Sequence, residues 1–352
     1  LDEIYYEKVL NRIIQGRLRV KLDDLVFYIY EPSKEIIEES FDIYQETYDK
    51  AYFAGVYIES QMLEMLIREN IYDPMIDKNI KDLSERIDDL KVEAFKNFFK
   101  KKQLRGIKAQ IRRTEHMLAQ ENLKKTKFEY ATCEGVAKYA RKCWLIEHTT
   151  KNKDGSPFDF SKLPLIKVME CYNKEHIKPS VFRAIARQEP WRGMWSISKK
   201  RDNPFGVSSS DLDSNQLTLS TYSSMYDNVY AHPESPDEKV ILDDDCLDGW
   251  FVEQRRKAKK DKKQAEVDAL IKNPKIANSQ EIFLMASNPN EAEEIHELNS
   301  PAARNKTKMR TEQIHQFTDS GGENLHFKDL SDVQQDRYMN AVQVNTAAVK
   351  RR

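Results

Sequence analysis

The densest group of chemically competent side chains in this 352-residue chain is acidic. Asp243, Asp244 and Asp245 stand in a row, Asp248 follows, and Glu234, Asp237 and Glu238 come just before. Clustered carboxylates are hard oxygen ligands that can hold Mg²⁺ or Ca²⁺. A helix–loop–helix calcium site needs glycine at its sixth place and glutamate at its twelfth. Counted from Asp243, those places hold Asp248 and Gln254, so the motif fails. A two-metal hydrolase would need further carboxylates or histidines from distant parts of the chain. The simpler reading is a solvated turn whose acids favour the positive end of a helix starting near Gly249. Neither a metal nor any other cofactor is expected.

Bases follow at once: Arg255, Arg256, Lys257, Lys259, Lys260, Lys262 and Lys263, seven in nine positions. A second basic stretch, 96–127, carries eleven bases against two acids. Such runs can neutralise phosphates, so a nucleic-acid-binding protein using 96–127 and 255–263 is the alternative reading. The first run winds all around its helix, no aromatic residues interleave with it, and seven acids lie in the preceding twenty residues. Partner-facing or solvated charge is therefore the leading reading.

Nucleophilic catalysis has no signature here. The chain lacks GxSxG, a P-loop, GxGxxG after a strand, HExxH and the kinase motifs. Its seven histidines (His116, His148, His176, His232, His296, His315 and His326) are scattered, none four residues from another. Cys133, Cys143, Cys171 and Cys246 form no CxxC pair and match no zinc module. They read as free thiols packed on helices. The chain is expected not to be an enzyme.

The most unusual segment is Ala184-Ile185-Ala186-Arg187-Gln188-Glu189-Pro190-Trp191-Arg192-Gly193-Met194-Trp195. Pro190 ends one helix, and Trp191 and Trp195 stand one turn apart with Arg187 and Arg192 beside them. Large aromatic groups flanked by arginine serve either as an interface anchor or as core. The candidate partner-binding residues are Trp191, Arg192, Trp195, Trp250, Arg255 and Arg256, with 250–263 and the chain after Asn273 as docking elements.

The elements that must position these residues are mostly helical. Residues 1–14 have helical spacing, with Ile4, Val9 and Ile13 as core contacts. Arg17-Leu18-Arg19-Val20-Lys21-Leu22 and Leu25-Val26-Phe27-Tyr28-Ile29-Tyr30 read as a β-hairpin turning at Asp23-Asp24. Ser33 is the expected N-cap of a helix over 34–54 that carries Ile36, Ile37, Phe41, Tyr44, Tyr48 and Tyr52 on one stripe. A restart near Glu59 or Ser60 runs to Leu66, and Asp73-Pro74 breaks the pattern. Ile80, Leu83, Ile87, Leu90 and Ala94 make a short heptad seam that slips near Phe95, Phe98 and Phe99. A long helix or helical hairpin is expected over 78–125.

Helical spacing recurs at Val136 to Ile146, Leu165 to Tyr172 and Val181 to Ala186, with 151–157 as a loop. Beyond Trp250 a charged helix should stop at Asn273-Pro274. Two short polar helices over about 289–298 and 301–317 should follow, then a joint at 318–323 and a tail with little apolar surface. Three regions are thus expected: 1–127, 128–249, and 250–352 as a charged helix with an extended, partly disordered or partner-bound tail.

Composition agrees with a mainly α fold. Only 10 glycines and 12 prolines argue against a turn-rich β sandwich or a dinucleotide-binding scaffold. One third of the residues are charged and the mean hydropathy is −0.74. No run approaches the roughly 18 apolar residues a spanning helix needs, and no secretory h-region opens the chain. The 57 bases and 58 acids nearly cancel, yet they are segregated along the chain.

Several strings give the chain a family likeness. These are the hairpin ending in Tyr30-Glu31-Pro32-Ser33, then Arg187-Gln188-Glu189-Pro190-Trp191-Arg192 with Trp195, then Tyr226-Asp227-Asn228-Val229-Tyr230, then Asp243-Asp244-Asp245-Cys246-Leu247-Asp248-Gly249-Trp250. Over about residues 17 to 263 the chain resembles tail and baseplate proteins of tailed bacteriophages, including tail-assembly chaperones and minor virion proteins. The resemblance implies a non-enzymatic structural or assembly role in the tail, baseplate or neck. It implies other virion proteins as partners (tail tube, tape measure, baseplate or head–tail components), an oligomeric state within an assembly, no membrane, and a place in the virion or host cytoplasm. It carries no catalytic residues.

Overall fold

The computed structural model describes residues 3–22, 25–198 and 204–271, with 292, 304, 305, 308 and 309 besides. Among them are twelve α-helices and one three-stranded antiparallel sheet, so the fold is mainly α. Helix α1 (Glu3–Gln15) leads into strands β1 (Arg17–Leu22) and β2 (Leu25–Tyr30). Their register sets Leu18 opposite Ile29 and Val20 opposite Phe27, so alternation sends all four inward. A third strand, β3 (Thr150–Asn152), pairs with β2 and makes it the central strand. The expected loop over 151–157 therefore begins as a strand.

Helix α2 (Lys34–Phe53) starts where the Ser33 hydroxyl accepts a hydrogen bond from Ile36 N. It packs along α6 (Cys133–Thr149), which begins at Thr132, whose hydroxyl accepts from Gly135 N. Helix α3 (Glu59–Arg68) buries Leu66 against Tyr72 and Ile76. The heptad segment is a hairpin of α4 (Ile76–Lys96) and α5 (Lys101–Thr126), broken over 97–100 where the phase slips. Lys125 Nζ reaches Asp77 at 2.7 Å, tying the end of α5 to the start of α4. Leu90, Ala94, Ile107 and Ile111 close the seam.

The largest apolar cluster gathers α1, α8 (Pro179–Arg187), α9 (Trp191–Ser198), α10 (Ser214–Ala231) and the first turns of α12 (Asp244–Ile271). A second cluster joins the sheet to α6 and α7 (Leu165–Lys174). A short helix α11 (Glu238–Ile241) precedes α12 and contributes Val240 and Ile241 to the interior. The join between α1 and α10 is specific. Asp213 caps α10 by accepting from Gln216 N, and buried Gln216 donates through Nε2 to the Ile13 carbonyl at the end of α1.

Some expectations change. Val9 and Ile13 are buried, but Ile4 lies on the exposed side of α1, because it stands about 180° around the helix from Ile13 while Tyr6 of the same turn packs on the core. Residues 1–127 and 128–249 do not separate, since α2 from the first packs on α6 from the second. The chain instead divides into 1–254 and 255–352, within α12. The turn at 23–24, the short helices near 289–298 and 301–317, the joint at 318–323 and the tail expected beyond Asn273 fall outside the described residues, save for isolated positions.

Candidate partner-binding site

The tryptophan segment follows directly on α8 and opens α9. Trp191 is fully buried, its Nε1 donating to Ser223 Oγ at 2.8 Å on α10. Trp195, one turn later, stacks beside it with ring centroids 6.1 Å apart, and Phe205 covers its neighbour at 5.4 Å. Asp227 on α10 receives both remaining polar groups, Trp195 Nε1 at 2.7 Å and Arg192 at 2.8 Å. Trp250 is also in the core, edge-on to His232 at 5.3 Å. Trp191 and Trp250 are thus interior residues, which corrects their expected role as surface anchors. Trp191, with its ring inside the core and its N–H satisfied by Ser223, has no face left for a partner, and Trp250 is only 4% exposed. Arg192 and Trp195 are partly buried and tied to Asp227. Arg255 and Arg256 are exposed on α12 in the second unit.

The acid cluster is the centre of an intramolecular charge network. Asp243 pairs with Lys108 of α5, and its Oδ1 accepts from Cys246 N in the first turn of α12. Asp244 accepts from Arg187 of α8 at 2.8 Å. Asp248 takes Lys91 of α4 at 2.8 Å and Arg183 of α8. Burial works against the charge of Arg183, but Asp248 and then Asp244 outweigh it, so its pKa is raised. Asp245 lacks such direct pairing, and burial raises its carboxyl pKa despite Lys108 and Lys91 nearby.

Between these acids, Cys246 and Leu247 face inward. Burial, followed by Asp243, pushes the Cys246 thiol up to about 12, which leaves it protonated and unreactive at neutral pH. Gly249 lets α12 touch α4: a Cβ there would lie 1.9 Å from the Lys91 carbonyl oxygen. Among the described residues no group of three or more His, Cys, Asp or Glu is arranged to hold a metal ion. Asp243, Asp244 and Asp248 are instead paired with lysine and arginine from three other helices.

A second acid pair was not singled out in the sequence. Glu31, at the end of β2, and Asp213, at the start of α10, border a cleft of about 960 Å³ also lined by Ser33, Lys34, Asp211 and Tyr222. Burial raises the pKa of Glu31, the nearby Asp213 raises it further, and Arg12 and a 2.6 Å hydrogen bond from Asn215 oppose the shift. Burial likewise raises Asp213 against its hydrogen bonds from the start of α10 and against Arg12. Its lining residues include serine, threonine, lysine and carboxylates but no histidine or cysteine. The Asp-x-x-Gln capping box was the one signal that could have marked Asp213 beforehand.

Comparison with protein-family models, with curated proteins and with solved structures gave no match.

Proposed function

We propose that this chain is a non-enzymatic structural or assembly protein of a tailed bacteriophage, in tail, baseplate or neck, acting through contacts with other virion proteins. The observation that supports a contact role is the aromatic end of α2. Tyr52 is 51% exposed, Phe53 85% and Tyr57 50%, and Phe41 lies exposed on the same side of α2 as Tyr52. Grouped aromatic side chains in water cost free energy that a partner surface recovers. Asp243, Asp244 and Asp248 of the acid cluster are, by contrast, taken up in ion pairs. The phage setting rests on the resemblance of the strings quoted above. Among the described residues no helix is long and apolar enough to cross a membrane.

Mass spectrometry of purified phage particles and of their assembly intermediates tests the reading. A structural component is expected in the particle, and an assembly factor in the intermediates alone. Absence from both, together with monomeric behaviour of the purified chain, would overturn it. The substitution Phe53→Asp should leave stability within about 0.5 kcal/mol, because an exposed side chain has little to lose. The same change should abolish co-purification with the partner. Retained co-purification would remove α2 from the interface.

A further inference from the structure

We propose that the solvent-facing side of α5 is a binding surface for the phosphate backbone of double-stranded nucleic acid. Between Glu93 and Glu115 the chain holds eight bases and no acid. At about 100° per residue, Lys101, Lys102, Arg105, Lys108, Arg112 and Arg113 fall within about 140° of arc. Half-buried Leu104 and buried Ile107 and Ile111 occupy the opposite side, against α4. Helical periodicity therefore gathers this run on one face about 18 Å long.

The face is also uncompensated. Lys108 is engaged by Asp243, and at the far end of the helix Lys124 and Lys125 pair with Glu121 and Asp77. Among the described residues no ion pair engages Lys101, Lys102, Arg105, Arg112 or Arg113, all of which are exposed. Lys100, Lys101 and Lys102 moreover stand at the start of α5 with no acid in its first turn. Cations there face the positive end of the helix dipole, an arrangement that costs stability and that a bound anion would relieve.

The shape of the face favours duplex. A duplex presents one negative charge per about 1.7 Å of axis, so a face of this length spans several phosphates. Single strands are held by aromatic side chains that stack on bases, and α5 contains none. The bases at 255–263, by contrast, are not sorted onto one side of α12. This inference does not depend on the proposed assembly role, which would stand if it failed.

Fluorescence anisotropy of the full chain against a labelled duplex of about 20 base pairs, in about 50 mM salt, tests the surface. Sequence-independent binding is expected, weakening on the order of a hundredfold as salt rises to about 200 mM. Replacing Lys101, Lys102, Arg105, Arg112 and Arg113 together by Gln should abolish it, with helicity checked by circular dichroism. Arg112→Gln with Arg113→Gln alone should weaken binding about tenfold and flatten the log–log salt slope by about 2. This milder pair decides the matter if the five-fold variant loses helicity. Arg255→Gln with Arg256→Gln should leave affinity unchanged. The inference is overturned by absent binding at low salt, by equal affinity of the α5 variants, or by an equal loss from the 255/256 variant. Displacement of the duplex by polyglutamate at matched charge would also overturn it, and would assign the face to an acidic protein surface.

Discussion

At the scale of single residues, the buried carboxyl of Glu31 makes stability depend on pH in a definite direction. Burial beside Asp213 raises its pKa, and Arg12 and Asn215 only partly offset this. Over the pH range between the unfolded value, about 4.3, and the raised folded value, the folded chain holds a proton that the unfolded chain has released. Stability from this group is therefore complete below about pH 4.3 and is lost as pH rises through the folded value. Glu31→Gln removes that loss while keeping an oxygen to accept from Asn215. Thermal midpoints measured from about pH 4 to 7 should fall less steeply in the variant than in the parent chain. At the top of that range the variant should be at least as stable. An unchanged slope would show that Glu31 ionises as freely in the fold as in water. The slope should not vanish, because burial raises Asp213 as well.

At the scale of elements, the segment from Asp243 to Trp250 is where α12 is fastened to α4, α5 and α8. Two substitutions separate its sterics from its charge. Gly249→Ala puts a methyl group against the Lys91 carbonyl and forces α12 away from α4, at a cost of about 3 kcal/mol. Asp248→Asn keeps the shape but leaves Lys91 and Arg183 without their shared countercharge. The pairs are only partly buried, so about 2 kcal/mol is expected, below the range for fully buried ones. Urea unfolding measures both, and a loss under about 0.5 kcal/mol in either would deny that contact its role.

The same segment marks what was legible beforehand. Periodicity disclosed the hairpin, α2 and the break between α4 and α5, because each is written in neighbours three, four or two residues apart. Helix α12 begins at Asp244, five residues before the start expected near Gly249, so Asp244, Asp245 and Asp248 lie in its first turns and not in a solvated turn. The fate of the tryptophans was not legible. Trp191 and Trp195 have the same spacing whether they face water or core, and their partners Ser223 and Asp227 lie 32 residues away. The acids' partners, Lys91, Lys108, Arg183 and Arg187, come from further still. Strand β3 was illegible for a related reason. Thr150–Asn152 has no alternation of its own and becomes a strand only by pairing with β2.

At the scale of the whole molecule, a net charge of −1 is a cancellation between separate places and not a neutral surface. Asp243, Asp244 and Asp248 are turned onto Lys108, Arg187, Lys91 and Arg183, while Lys101, Lys102, Arg105, Arg112 and Arg113 remain on the exposed side of α5. The exposed side of α5 is thus locally basic although the chain's charges nearly cancel. All four apolar clusters and the charge network lie within 1–254, so that unit should hold its fold without the rest. A cut directly after Gln254 would fray the turn that carries Trp250 and Val252, since the last carbonyls of a helix lose their partners. A chain ending at Ala265 keeps about three further turns and avoids that loss. Its thermal unfolding should stay a single transition within about 3 °C of the full chain's midpoint. If it retains the co-purification that Phe53→Asp destroys, the contact surface belongs to the first unit. If it folds but co-purifies with nothing, the docking elements lie beyond residue 265.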